Sequence, residues 1–327
     1  MPENNQPAID ITGLTKAFGD HQVLCGIDLT VPTGTVCALL GPNGAGKTTI
    51  VNILSTLLTP DAGTVRVTGH DVVADGSAVR AAIGVTGQFS AVDGLLTGAE
   101  NLRLMADLRR LGRVEGRRRV DELVDRFDLR GAAGKPASTY SGGMKRKLDL
   151  AMTLVARPRV LFLDEPTTGL DPRSRRDVWD IVRSLVQDGV TILLTTQYLD
   201  EADRLADQVA VLTGGRIVAH DEPARLKQLV PGGRIRLQFA HPGALAGARR
   251  TVADVWGDTR DHPVDPETAG DTATLDVELP VADTVGALRR LLDRLDDQGT
   301  PVRQVEVTAP DLDDVFFALT DPSVRKA

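Results

Sequence analysis

The clearest chemistry in the chain sits in Gly41-Pro42-Asn43-Gly44-Ala45-Gly46-Lys47-Thr48-Thr49. The spacing is a glycine, four residues, then Gly-Lys-Ser/Thr, which is that of a loop that cradles phosphates. Its glycines let backbone N–H groups crowd around a polyphosphate, and a following helix adds the positive end of its dipole. The pattern assigns Lys47 to the β- and γ-phosphates and the Thr48 hydroxyl to Mg²⁺. A second chemical pair, Asp164-Glu165, closes the apolar run Val160-Leu161-Phe162-Leu163. Two acids at the end of a buried strand are costly unless a cation or a reaction employs them. In a nucleoside triphosphatase the first acid holds Mg²⁺ and the second activates water.

Weaker signals become informative beside these. Ser141-Gly142-Gly143 stands at the entrance of a helix, where N–H groups and a hydroxyl face an anion, although Ser141 also serves as a plain N-cap. Gln88 ends a strand-to-loop stretch, Ile83 to Gln88, and its amide can ligate Mg²⁺, orient a water or simply face solvent. Phe18 stands alone as an aromatic in what reads as a polar loop, Leu14 to Gly19, where its face could stack on a base. Gln197 follows the apolar run Val190 to Thr196, at the strand end where α/β sheets place ligand-binding residues.

The elements that must position these residues follow from the apolar pattern. Val36-Cys37-Ala38-Leu39-Leu40 reads as a buried strand, and Thr48 to Leu58 as a helix with Ile50, Ile53, Leu54 and Leu57 on one face. Ile9–Ile11, Val23–Leu29, Gly63–Val67 and Asp71–Val73 read as strands. The stretch from Leu95 to Leu154 is mostly helical, with Leu104, Leu108, Leu111, Leu123, Val124, Phe127 and Leu129 at helical spacing. Helices are expected over Lys145–Ala156, Ser174–Gln187 and Leu199–Leu205, with strands at Val209–Leu212 and Arg216–Val218. Repeated strand–helix alternation implies a mainly parallel sheet covered by helices. Pro231-Gly232-Gly233 marks a boundary between a domain over 1–230 and a smaller α+β domain over 231–327. In the latter, 234–239, 273–279 and 302–307 read as strands, 284–297 and 312–319 as helices, and 241–271 as loop.

Composition narrows the function. The chain has 327 residues, 42% hydrophobic and 25% charged, which is ordinary for a globular protein. No run approaches the roughly 18 apolar residues of a membrane span, and Met1 to Asp10 lacks an apolar signal core. The protein is therefore expected in the cytoplasm, reaching a membrane only through a partner. A net charge of −7 argues against a broad nucleic-acid surface, despite the local basic runs Arg117–Arg119 and Lys145–Lys147. The Arg117–Arg119 run reads as a solvated helix face. Cys25 and Cys37 supply neither a disulfide framework nor metal-ligand spacing, and Cys37 reads as a small core residue.

Taken in order, these motifs resemble those of the ATP-binding cassette (ABC) ATPases: a P-loop NTPase fold with a mostly parallel core sheet, an antiparallel β subdomain, a helical subdomain and, here, a C-terminal α+β domain. Gly41 to Thr49 looks like Walker A, Val160 to Asp164 like Walker B, and Glu165 like its catalytic glutamate. Gln88 matches the Q-loop, Ser141 to Gly143 the signature, Gly169-Leu170-Asp171 the D-loop and Phe18 the adenine-stacking A-loop. The resemblance implies ATP and Mg²⁺ as ligands. It also implies a head-to-tail pair of chains, each ATP lying between Lys47, Thr48 and Asp164 of one copy and Ser141 to Gly143 of the other. Asp171, in the D-loop match, would be among the residues that bind the nucleotide. Glu165 would polarise the attacking water, and Gln88 would link Mg²⁺ to the helical subdomain.

Three positions depart from the commoner pattern: Tyr140 for Leu, Met144 for Gln, and Gln197 for the switch His. A Gln amide can donate to a γ-phosphate oxygen but carries no titrating charge. Slow hydrolysis follows, with no activity step near about pH 6.5 traceable to this residue. A pH–rate profile that matched the parent in a Gln197→Ala variant, with undiminished turnover, would remove Gln197 from the reaction. The same departures resemble the daunorubicin/doxorubicin-resistance subfamily of efflux ATPases, and Asp311 to Thr320 resembles the end of its C-terminal extension. That likeness implies a separately encoded permease, a position on the cytoplasmic face of the membrane, and a hydrophobic antibiotic or complex lipid as cargo. The alternative is an ABC ATPase of translation or DNA repair. Those types carry two cassettes or long coiled coils, and this chain has a single P-loop without sustained heptads.

Overall fold

The computed structural model describes residues 6–87, 91–230, 234–239, 244, 247–252, 273–278, 284–300, 302–308 and 310–320. Within them the chain divides into two compact units, Met1–Pro223 and Ala224–Ala327. The expected boundary triplet Pro231-Gly232-Gly233 and the candidate Gln88 lie outside the described residues.

The first unit opens with an antiparallel layer: β1 (Ile9–Phe18), β2 (His21–Val31), β4 (Ala62–Val67) and β5 (His70–Asp71), in the order β2-β1-β4-β5. The stretch containing Phe18 is thus strand rather than loop. β1 runs to the hairpin turn because Phe18 pairs directly with His21. The expected strand over Asp71–Val73 is only β5 followed by a turn, since the Asp71 carboxylate accepts from the N–H groups of Val73 and Ala74.

The second layer is six-stranded: β3 (Val36–Leu40), β6 (Ile83–Thr86), β7 (Val160–Asp164), β8 (Thr191–Thr196), β9 (Gln208–Thr213) and β10 (Arg216–Asp221), ordered β10-β9-β3-β8-β7-β6. Every pairing is parallel except the β9–β10 edge. β3, β7 and β8 are buried along their whole length, as continuous apolar runs in a covered parallel sheet should be. Register decides what this sheet presents. Leu40 lies opposite Thr196, Asp164 opposite Thr195, and Thr86 opposite Leu163. The carboxyl ends of four parallel strands therefore come out together, and the loop from Gly41, the acids Asp164 and Glu165, and Gln197 stand at or just beyond three of them.

The helices of this unit are α1 (Lys47–Leu54), α2 (Gly76–Ala82), α3 (Gly98–Leu108), α4 (Arg113–Arg126), α5 (Gly142–Leu154), α6 (Pro172–Gln187) and α7 (Leu199–Leu205); α8 (Pro223–Lys227) starts at the unit's last residue and runs into the second. α1 stops four residues before the expected Leu58. Thr56 takes a positive φ of 64°, and the N–H groups of Leu57 and Leu58 both return to the Asn52 carbonyl, which leaves Leu57 exposed. On α3 the expected apolar face is the wrong one. Leu104 and Leu108 are exposed, while Gly98, Asn101, Leu102 and Ala106 face inward. The Thr97–Glu100 capping box fixes the start of this helix, and the Asn101 amide is spent on the carbonyls of Asp93 and Thr97. The Arg117–Arg119 face is only partly solvated, since Arg119 is buried and donates to the Leu154 carbonyl and the Glu122 carboxylate.

The second unit holds a three-stranded antiparallel sheet of β11 (Arg234–Phe239), β12 (Ala273–Glu278) and β13 (Val302–Thr308), ordered β12-β11-β13. α9 (Thr284–Asp297) sends Leu291 and Leu295 into a core with Leu237, Phe239 and Leu275, and α10 (Leu312–Thr320) follows. Within the expected loop 241–271, residues 247–252 are helical and contribute Ala248 and Val252 to that core. This is the small α+β unit that the strand and helix pattern implies.

Candidate active site

The phosphate-type loop leaves β3 at Gly41 and enters α1 at Gly46. Two glycines there are steric necessities. A Cβ on Gly41 would meet the Leu212 carbonyl oxygen at 2.4 Å, and one on Gly46 would meet Leu24 at 2.7 Å. Gly46 also has φ +109°, and Gly44 φ +81° with open space around it. The loop is thereby pressed between Leu212 of β9 and Val23 and Leu24 of β2. Because Val23 and Leu24 of β2 lie against Gly46, the hairpin turn next to Phe18 adjoins the loop. Phe18 is half exposed, with the Lys16 ammonium 5.7 Å from its ring centroid.

Lys47 is buried, and its Nζ donates to the carbonyls of Gly41 at 2.7 Å and Pro42 at 3.2 Å. Burial draws its ammonium below the ordinary lysine value, and the charges of Glu165 and Asp164 work against that shift. The Thr48 hydroxyl lies 3.2 Å from Asp164 Oδ2, across 116 residues of sequence. This is an all-oxygen pair of the kind a hard cation takes. Asp164 Oδ1 is in turn held by the Thr195 hydroxyl. Thr195 is the functional residue that sequence reasoning missed. Its signal was its register, one residue before a strand end and directly beside Asp164. Glu165 follows with φ +48°, uncommon for a residue with a Cβ. Its N–H donates to the carbonyl and hydroxyl oxygens of Thr195, at 3.0 and 3.2 Å, and Thr168 Oγ1 donates to its carboxylate at 3.3 Å. Lys47, Thr48, Asp164 and Glu165 thus converge at one end of the sheet. Gln197, one residue beyond β8, is exposed there.

Ser141, Gly142 and Gly143 open α5, and the Ser141 hydroxyl accepts from the Met144 N–H at 3.3 Å. Ser141 and Gly142 are exposed, whereas Gly143 is buried so tightly that a Cβ would lie 2.3 Å from Ser174 Oγ. Asp171 caps α6, accepting from Ser174 Oγ at 2.6 Å and from the N–H groups of Arg173 and Ser174. The Ser174 hydroxyl, then its N–H, hold the Asp171 carboxyl below its usual range. Within one chain, the Ser141–Gly143 motif therefore packs beside Leu170 and Ser174, not beside Lys47. Tyr140, in place of the commoner Leu, is buried. Its hydroxyl donates to the Ala132 carbonyl at 2.7 Å, and a Cβ on Gly98 would strike it.

The ABC transporter family model matches residues 24–168. The chain is 47% identical to daunorubicin resistance ATP-binding protein DrrA3 of Streptomyces coeruleorubidus, covering 98% of each chain. It is 46% identical to the daunorubicin/doxorubicin resistance ATP-binding protein of Streptomyces peucetius, over 97% of this chain and 94% of that one. Among solved structures, a Clostridium perfringens component of an ABC transporter complex superposes with a TM-score of 0.62 at 28% identity, covering 68% of this chain and 90% of that one. With its nucleotide-type loop, strand-end acids and helix-entrance serine in the positions described, the chain belongs to the ABC transporter ATP-binding proteins, ATPases coupled to transport, in the daunorubicin/doxorubicin-resistance branch.

Proposed function

We propose that this chain hydrolyses ATP at a site shared between two copies of itself and so drives export of a hydrophobic antibiotic, or a complex lipid, through a separate permease. The observation that carries the reading is the Thr48–Asp164 contact at 3.2 Å, which joins the loop hydroxyl to the strand-end acid. These oxygens would hold Mg²⁺, with Gln88 as a further ligand, and the ion would supply charge neutralisation at the β- and γ-phosphates. The loop from Gly41 to Thr49 cradles the phosphates, and Lys47 leaves its carbonyl partners for them. Phe18 stacks on the base. Glu165, held by Thr195 and Thr168, orients and polarises the attacking water, and Gln197 donates to the γ-phosphate.

Exposed Ser141 and Gly142, with Gly142 beside Leu170, support a head-to-tail arrangement in which each copy completes the other's phosphate site. Asp171 lies next to the same edge. Residues 1–230 form the motor, and residues 231–327 steady the pair or its contact with the permease. No helix among the described residues is long and apolar enough to cross a membrane. The likeness to the resistance ATP-binding proteins supports a cargo path in the partner and a place for this chain on the membrane's cytoplasmic face. Tagging the chain in its native cell and solubilising membranes gently tests the assembly. A multi-span protein recovered in comparable amount is expected, whereas ribosomal or repair proteins without a permease would contradict it.

A further inference from the structure

One buried ion pair belongs to none of the motifs above. Arg146 and Asp149 lie one turn apart on α5, their side chains 10% and 5% exposed, and their nearest oxygen and nitrogen are 3.3 Å apart. Arg146 also donates from Nε to the Pro166 carbonyl at 2.8 Å and from Nη1 to the Gly87 carbonyl at 3.2 Å. Asp149 Oδ1 accepts from the Ala91 N–H at 3.1 Å. One turn further on, the Thr153 hydroxyl meets that of Thr86 at 3.1 Å. The partners of this pair are informative. Gly87 and Ala91 flank Gln88 on the connection from β6 to α3, and Pro166 immediately follows Glu165.

Stability alone does not account for the arrangement. Burial pushes the Asp149 carboxyl up, against the Ala91 N–H and the Arg146 charge, and the Arg146 guanidinium down, against the charges of Asp149, Glu201 and Asp164. A buried pair of this kind is often no more stabilising than apolar side chains of the same volume. What it adds is fixed geometry, because three backbone groups from two other segments are tied to one helix. Two of those ties bracket a candidate ligand of the nucleotide site, and the third grips the peptide just beyond the left-handed backbone of Glu165.

We propose that Arg146 and Asp149 are positioning residues for ATP hydrolysis, locking α5, both flanks of the β6–α3 connection and the backbone behind Glu165 into one unit. The inference rests on the reading of Glu165 as the residue that orients water. A displacement of Ser141 to Gly143 at the head of α5 is then delivered at Gly87, Ala91 and Pro166 together. Binding of nucleotide, made by the loop from Gly41 to Thr49, does not need this lock. Turnover does.

The test uses the full-length chain and three readouts: steady-state ATP turnover, nucleotide affinity and thermal unfolding. Arg146→Lys keeps the charge but not the fork that reaches three acceptors at once. The double variant Arg146→Met with Asp149→Leu removes both charges without stranding either. Asp149→Asn keeps an oxygen for the Ala91 N–H. Loss of a supporting contact of this type is expected to lower kcat by about 10-fold or more in Arg146→Lys and in the double variant. KM and nucleotide affinity should stay within about 2-fold, and the double variant's Tm should fall only modestly, because removing both charges together spares a stranded ion while the Gly87, Pro166 and Ala91 backbone groups lose their partners. Asp149→Asn should keep most of the turnover. Unchanged kcat in the double variant, or a kcat that falls only in step with affinity and Tm, would overturn the proposal. Glu165→Gln separates the two layers of the argument. If it hydrolyses ATP normally, the reading of Glu165 fails. If it is inactive while the Arg146 variants are not, the positioning role alone fails.

Discussion

Thr195 uses its hydroxyl on Asp164 and its carbonyl on the Glu165 N–H, so one residue orients both acids of the site. Outer contacts of this sort are worth about 10–100-fold in metal affinity or activity when removed. Thr195→Val, close in shape, should therefore raise the Mg²⁺ concentration needed for half-maximal ATP turnover by about that factor, with little change in unfolding temperature. A variant with the parent's Mg²⁺ dependence would show that Asp164 needs no such support. A second residue-scale prediction concerns Glu201, which is fully buried and accepts from Trp179 Nε1 at 3.1 Å. Burial pushes its carboxyl above the ordinary value. The folded protein then keeps a proton that the unfolded chain gives up, so stability falls as pH rises through the interval between the two pKa values. Glu201→Gln keeps an oxygen for Trp179 and removes that loss. Its gain in unfolding temperature over the parent should be absent near about pH 4 and grow toward neutrality. A difference independent of pH would contradict it.

At the scale of elements, Tyr140 and Gly98 form a matched pair between the entrance to α5 and the start of α3. A Cβ on Gly98 would come 2.2 Å from the Tyr140 hydroxyl oxygen but 3.2 Å from its ring carbon. Gly98→Ala should destabilise by about 1–3 kcal/mol through overpacking, and the penalty should shrink in a Tyr140→Phe background, read by denaturant unfolding. Equal penalties in both backgrounds would mean the clash is relieved elsewhere. Such a pairing was not legible in the sequence, where Gly98 and Tyr140 are separate local features. What was legible is local and periodic: the loop from Gly41 to Thr49, the buried strands before it and before Asp164, and the helices over Ser174–Gln187 and Leu199–Leu205. The strands of the small unit were legible for the same reason. What failed depended on partners far along the chain. Leu104 and Leu108 fit a helical face, yet the α3 face is chosen by the capping box and by Asn101 bonding to Asp93 and Thr97. Arg146 reads as part of a basic run, but its acceptors are 20 and 59 residues away.

At the scale of the whole molecule, the residues proposed to hold phosphate lie in two places in the chain. Lys47, Thr48, Asp164 and Glu165 gather at the carboxyl end of the parallel sheet, while exposed Ser141 and Gly142 pack beside Leu170 at the head of α5. A head-to-tail pair of copies turns the two halves into two complete sites. The central claim is therefore that no chain hydrolyses ATP alone. The direct measurement is complementation between two inactive variants, Lys47→Ala and Ser141→Arg, co-expressed and assayed for ATP-driven phosphate release. Each variant paired with itself lacks both sites. In the mixed pair, one site carries both changes and the other carries neither. Random pairing of two subunits should restore about one quarter of the parent's activity if the sites work independently, and less if they cooperate. Recovery toward that level is the predicted result. No activity in the mixture, with mixed pairs shown to form by differential tags, would contradict a shared site that turns over in the mixed pair.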